Sequence, residues 1–105
     1  MKLVKLVKLN NLQYNANRDP AFYRRPVNTE FRLQVVLNGT GEAKATFTVG
    51  DEALCENTIT LPGTFDCRFS FDTPGTRVGM IEVDGNAGQY REKIRIDVLE
   101  HAPVG

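Results

Sequence analysis

Apolar and polar residues alternate along most of this chain with a period of two, the mark of strands with one buried and one wet face. The clearest run sets Phe65, Cys67, Phe69 and Phe71 against Asp66, Arg68, Ser70 and Asp72. Beyond Pro74-Gly75, Ile81 and Val83 alternate with Glu82 and Asp84, so residues 65–85 read as a hairpin with its turn at the Pro-Gly. Upstream, residues 29–38 place Phe31, Leu33, Val35 and Leu37 inward and Arg32 and Gln34 outward. Residues 42–49 place Ala43, Ala45, Phe47 and Val49 on one face and Lys44, Thr46 and Thr48 on the other. Residues 54–61 pair Ile59 and Leu61 against Thr58 and Thr60, and residues 90–99 turn Ile94, Ile96 and Val98 inward. Asn38-Gly39-Thr40-Gly41, Gly50-Asp51, Pro62-Gly63 and the Gly/Asn stretch at 85–88 punctuate the runs with turn chemistry.

Residues 1–9 are less regular. Lys2, Lys5 and Lys8 would share one face of a helix. The segment is short for an isolated helix and has no N-cap, so the expectation is a strand whose lysines guard a sheet edge, with a membrane-surface helix as the alternative. Seven strand runs without an intervening helical pattern predict an all-β, seven-stranded antiparallel immunoglobulin-like sandwich, with a barrel as the second architecture.

The length, 105 residues, fits a single domain with its own core. Net charge is zero but unevenly spread. Residues 1–32 hold seven basic and two acidic side chains, a net of +5, and the remainder holds six basic and eleven acidic, a net of −5. Such asymmetry suits either a basic arm for an acidic partner or an arm packed on the acidic body of the same molecule. No apolar run reaches the roughly 20 residues of a membrane-spanning helix, so no membrane insertion is expected. The lysines break up the N-terminal apolar residues where a signal peptide would be continuous. The expected location is therefore cytoplasmic, or that of a fragment of an exported protein.

The basic charge gathers around an irregular segment, residues 10–28, rich in breaker signals such as Asn10-Asn11, Asp19-Pro20 and Arg25-Pro26. Here Tyr14, Phe22 and Tyr23 lie among Arg18, Arg24 and Arg25. These six are the candidate partner-binding residues: arginines to pair with acidic groups and aromatics to supply contact area. The same interleaving would serve a weak nucleic-acid binder, although the chain as a whole is neutral. The plainest role for the aromatics is to pin a long loop onto the sheet. Residues 100–105 read as a frayed tail carrying His101, the single histidine.

Catalytic chemistry has little to work with. Alternation points Cys55 and Cys67 inward. A hairpin turn at Pro62-Gly63 would put Leu61 opposite Phe65 and Cys55 opposite Phe71, holding the cysteines about 13 Å apart. That predicts two buried thiols, with a bridge only if Cys55 lies in the preceding loop or the strands belong to different sheets. One histidine with two inward cysteines is not a zinc set, and the twelfth position from Asp84 is Arg95 where a calcium loop needs Glu. Asn38-Gly39-Thr40 matches a glycosylation acceptor but is accounted for by the turn. No phosphate-binding loop, dinucleotide fingerprint or nucleophile elbow occurs. No metal or cofactor is expected.

Four stretches in order, NGTGEAKATFTV (38–49), TITLPGTF (58–65), FSFDTPGTRVGMIEVDG (69–85) and KIRIDVLE (93–100), resemble the bacterial cell-adhesion-related domain and its fibronectin- and invasin-like relatives. The likeness covers about residues 31–99 and lies in the turn dipeptides and the apolar strand ending in Asp-Gly. It implies a non-catalytic binding or spacer module of immunoglobulin type, with a protein partner. The alternatives are a redox or thiol-dependent enzyme subunit using Cys55 and Cys67, and a nucleic-acid binder through the basic arm.

Overall fold

The computed structural model describes residues 3–15, 17, 23–86 and 88–101. Among them the fold is all-β. The strands are β1 (Val4–Leu9), β2 (Leu12–Gln13), β3 (Arg25–Pro26), β4 (Phe31–Val49), β5 (Glu52–Phe69), β6 (Gly75–Gly85) and β7 (Gly88–Leu99). They form one curled, mixed sheet in the order β2-β1-β4-β6-β7-β3, with β5 on the other side of β4. All pairings are antiparallel except β3 with β7, which is parallel. The curl makes a half-barrel, and the expectation of a wholly antiparallel sheet is corrected at β3.

The long strands explain the curl. Asn38–Gly41 and Pro62-Gly63 are bends inside continuous strands where the sequence suggests turns. β4 and β5 together make one hairpin that closes at Gly50-Asp51 and pairs from Val49↔Glu52 out to Phe31↔Phe69. The ladder skips between Leu37 and Gly41, where Gly39 and Gly41 adopt φ values of +115° and +84° that a side chain would resist. On the opposite strand Leu61-Pro62 is a cis peptide. Each strand thus has two arms. The arm pair 31–37/63–69 is extended by β1, and the pair 42–49/52–60 by β6.

This topology overturns two expected pairings. Residues 65–69 and 75–85 do not form a hairpin: the former pairs with Phe31–Val35 in β4, whereas β6 pairs with Ala43–Val49 and with β7. Nor does Leu61 pair with Phe65. The cysteines are correspondingly joined, with Sγ–Sγ 2.08 Å and Cα–Cα 5.9 Å. The bend at Pro62-Gly63 carries the two β5 arms into facing halves, which is the condition under which a bridge becomes possible. β1 is a strand as expected; β2 covers only Lys8 and Leu9, so among the described residues Val4–Leu6 keep an edge without a neighbouring strand, where Lys5 is exposed.

Most inward positions behave as alternation predicts, whereas Val49, Cys55, Ile59 and Phe71 are half-buried at the margin of the core. Phe31, Leu33, Val35, Leu37, Ala43, Ala45, Phe47, Phe65, Cys67, Ile81, Val83, Ile94 and Ile96 are all buried. Phe69 joins the two halves, stacking on Phe31 with ring centres 5.3 Å apart and meeting Phe47 at 5.1 Å. Burying each such side chain contributes about 1.5–3 kcal/mol. Gly79 faces this cluster, and a Cβ there would land on the Phe47 ring. Near the open end Arg77 lies over Phe71, 4.3 Å from the ring centre, and donates to the Thr73 hydroxyl and carbonyl oxygens.

Candidate partner-binding surface

The irregular segment is anchored by one asparagine. Asn10 and Asn11 have φ of 55° and 69°, the two positive values that a two-residue hairpin turn between β1 and β2 requires. Asn10 is buried and fully engaged. Its amide nitrogen donates to the Tyr23 carbonyl at 2.9 Å, its side-chain oxygen accepts the Arg32 N–H at 3.0 Å, and its own N–H donates to the Arg32 carbonyl. The turn residue therefore ties β1, β4 and the start of the basic stretch together.

Of the six candidate residues, Tyr14 and Tyr23 come together, with rings 5.3 Å apart. Tyr23 is a core residue. Its hydroxyl donates to the Gln13 carbonyl and accepts the Asn15 N–H, so both ends of the side chain are occupied within the molecule. The half-buried Tyr14 accepts the Arg95 N–H through its hydroxyl at 3.2 Å, linking β2's end to β7. These two tyrosines perform the pinning role. Arg24 and Arg25 follow. Arg24 keeps 41 % of its side chain exposed, and its Nε lies 3.8 Å from an Asp97 oxygen. Arg25 is half-buried in β3 and donates to the Arg24 carbonyl. Arg18 and Phe22 lie outside the described residues.

Asp97, Arg95 and Asn10 are not among the candidate partner-binding residues that the sequence suggests. Asp97 sits between inward Ile96 and Val98, so alternation turns it to the wet face, yet it is only 8 % exposed. Thr76, opposite it on β6, donates to its carboxylate at 2.8 Å, and Arg95 Nε donates at 3.0 Å. Two guanidinium groups thus converge on one carboxylate, and this corner keeps a surplus positive charge. A cleft of about 320 Å³ opens beside it, lined by Arg24, Thr76, Arg95 and Leu99 among others. The only sequence signal for Asp97 is an acid set in a strand whose other outward charged residues are basic.

Elsewhere the outer face carries matched charges. Arg32 holds Asp66 through two hydrogen bonds, at 2.8 and 3.3 Å. The hydrogen bond from Arg32 holds the Asp66 carboxyl below the usual carboxylate range, and the same bond raises Arg32. Glu30–Arg68, Lys44–Glu56 and Glu82–Arg91 are further ion pairs, all exposed. Burial, aided by its hydrogen bond to Glu92, pushes the Tyr90 phenol above its ordinary range. Among the described residues no three His, Cys, Asp or Glu side chains converge as a metal site. Both cysteines are taken up in the disulfide, and His101 is exposed beside Glu100. Comparison of the chain with models of known protein families found no match, and comparison with curated protein sequences found none.

Proposed function

We propose that this chain is a non-catalytic binding module of the immunoglobulin-like kind, recognising a protein partner through Arg24, Arg25 and the segment they close. The observation that carries the reading is the surplus cation at the β3–β7 corner: Arg24 and Arg95 share one buried carboxylate beside an open cleft. Tyr14 and Tyr23 serve the surface by fixing the backbone that presents it. The facing arms of β4 and β5, with inward residues filling the space between them, support the immunoglobulin-like assignment.

Replacing Arg24 and Arg25 by Glu is expected to abolish capture of partner proteins that wild-type chain retains in a pull-down, with the fold retained and the thermal transition lowered, because a second carboxylate then faces Asp97. Undiminished capture of the same proteins by the variant overturns the reading. A second reading, a redox element, rests on one observation: Cys55 is partly exposed while Cys67 is buried, so a thiol could reach the bridge from the Cys55 side. It requires the native disulfide to exchange with a dithiol within minutes without unfolding. Reduction only in denaturant removes it.

A further inference from the structure

We propose that the open edge of β7, residues 88–94, takes up an acidic extended segment of a protein partner as an added strand. The proposal rests on the reading of this chain as a binding module, but assigns a different surface and names the chemistry that fits it.

The direction of the backbone groups follows from two hydrogen bonds. The Arg95 N–H donates to the Tyr14 hydroxyl, and the Leu99 carbonyl accepts from the Val27 N–H, so odd-numbered residues of β7 point their backbone groups away from β6. The β6–β7 register has no shift from Gly75↔Val98 to Gly85↔Gly88, so Gln89, Arg91 and Lys93 point the same way. Among the described residues no strand pairs with them there, because β3 reaches only Val98 and Leu99. A strand of five or six residues would find donors and acceptors at two-residue spacing, as strand addition requires.

The side chains select the occupant. Gln89, Arg91, Lys93 and Arg95 all project from the outer face and are exposed. Lys93 meets no carboxylate among the described residues, and Arg91 holds Glu82 only at 3.8 Å across exposed side chains. Two copies of β7 pairing antiparallel would set this basic row against itself, so a second copy is a poor occupant. Basic residues on an edge discourage indiscriminate pairing. A strand with Glu or Asp at alternate positions places carboxylates beside Arg91 and Lys93 and turns that repulsion into selectivity.

The test uses the full chain and a ten-residue peptide alternating Glu with Thr, followed by amide NMR and hydrogen exchange. Saturable binding is expected, with exchange at Gln89, Arg91 and Lys93 slowed at least tenfold. The peptide with Lys in place of Glu should bind at least tenfold more weakly. Lys93→Pro removes an edge N–H that β6 does not use, and should weaken binding at least tenfold. If that variant fails to fold, Lys93→Glu is expected to weaken binding severalfold and to favour the Lys peptide. No binding of the Glu peptide, equal binding of both peptides, or tight binding to Lys93→Pro overturns the proposal, as does protection that maps to other strands. If Arg24→Glu/Arg25→Glu loses the natural partner while the β7 edge ignores the Glu peptide, the edge proposal fails and the corner reading stands. The reverse pattern removes the corner and keeps the edge.

Discussion

Among the described residues β5 and β7 each leave most of one side without a neighbouring strand, but they treat that side differently. β5 is bent at Pro62-Gly63 and bridged to itself by Cys55–Cys67. Three of its four charged side chains are answered by neighbours: Glu56 by Lys44, Asp66 by Arg32 and Arg68 by Glu30. A bent strand whose charges are mostly matched is a poor template for another chain. β7 has an unbroken register with β6, and along residues 88–94 its outward charges are both basic, Arg91 loosely paired with Glu82 and Lys93 unanswered among the described residues. Equal lack of strand partners therefore carries unequal meaning. One edge is closed by its own construction, whereas the other is guarded only by charge, and charge can be complemented.

The strongest way to break this contrast is to release β5. Replacing Cys55 and Cys67 together by Ala is expected to cost about 3 kcal/mol in chemical denaturation, with faster amide exchange in both arms of β5 and little change in β7. A loss below about 1 kcal/mol would mean that the bends hold without the bridge. Next in size is Asn10→Ala, which leaves the Tyr23 carbonyl and the Arg32 N–H without their side-chain partner at a buried turn. A cost of about 1–3 kcal/mol is expected, with perturbation spreading to Tyr14, Tyr23 and the Arg95 amide. A response confined to the β1–β2 turn would show that the basic segment is held by other contacts.

Smaller effects test how β5 is closed. Arg32→Ala should cost little, because the pair is exposed and screened by salt. Its sign with pH is definite. The Asp66 pKa is lowered by folding, so its contribution is present above the unfolded value near 4 and is lost as pH falls through the folded value. Wild type should therefore lose its advantage over the variant on acidification. If the difference between them is independent of pH, the pair contributes nothing. The smallest effect is spectroscopic and belongs to β7. Tyr90 should ionise above the ordinary range near 10 in an alkaline absorbance titration. Its folded value is raised, so its stabilisation is present below about pH 10 and lost as pH climbs through the folded value. Glu92→Gln should bring the midpoint part of the way down, since burial remains. An unchanged midpoint would assign the whole shift to burial.

The inward and outward faces were legible in the sequence because alternation is local. Phe31 to Leu37, Ala43 to Phe47, Phe65 to Phe69 and Ile94 to Val98 needed no knowledge of their neighbours. Pairing was not legible, because the same dipeptides serve turns and bends. Asn38-Gly39 and Pro62-Gly63 have the chemistry of hairpin turns, yet the chain continues through both, since each strand meets its partner on both sides of the bend. That one difference separated the cysteines in the expected register and joins them in the fold. At the candidate surface, the pinning role of Tyr14 and Tyr23 could be anticipated from composition. Asp97 could not, because what buries it is β3 and Arg24, residues more than seventy positions earlier.

The continuity of β4 and β5 also bears on how the chain finds its fold. From Gly50-Asp51 each new pair sits next to the last, so the hairpin can zip outward with small loop-closure steps, at the risk of slipping by one residue. A one-residue slip confined to the arm beyond Pro62-Gly63 would turn Cys67 to the opposite face of the sheet while Cys55 keeps its place. With both bends in place and the register correct, the two sulfurs come within bonding reach. Oxidation would then act as a proofreading step, leaving a covalent mark on chains that zipped in register and free thiols on those that did not.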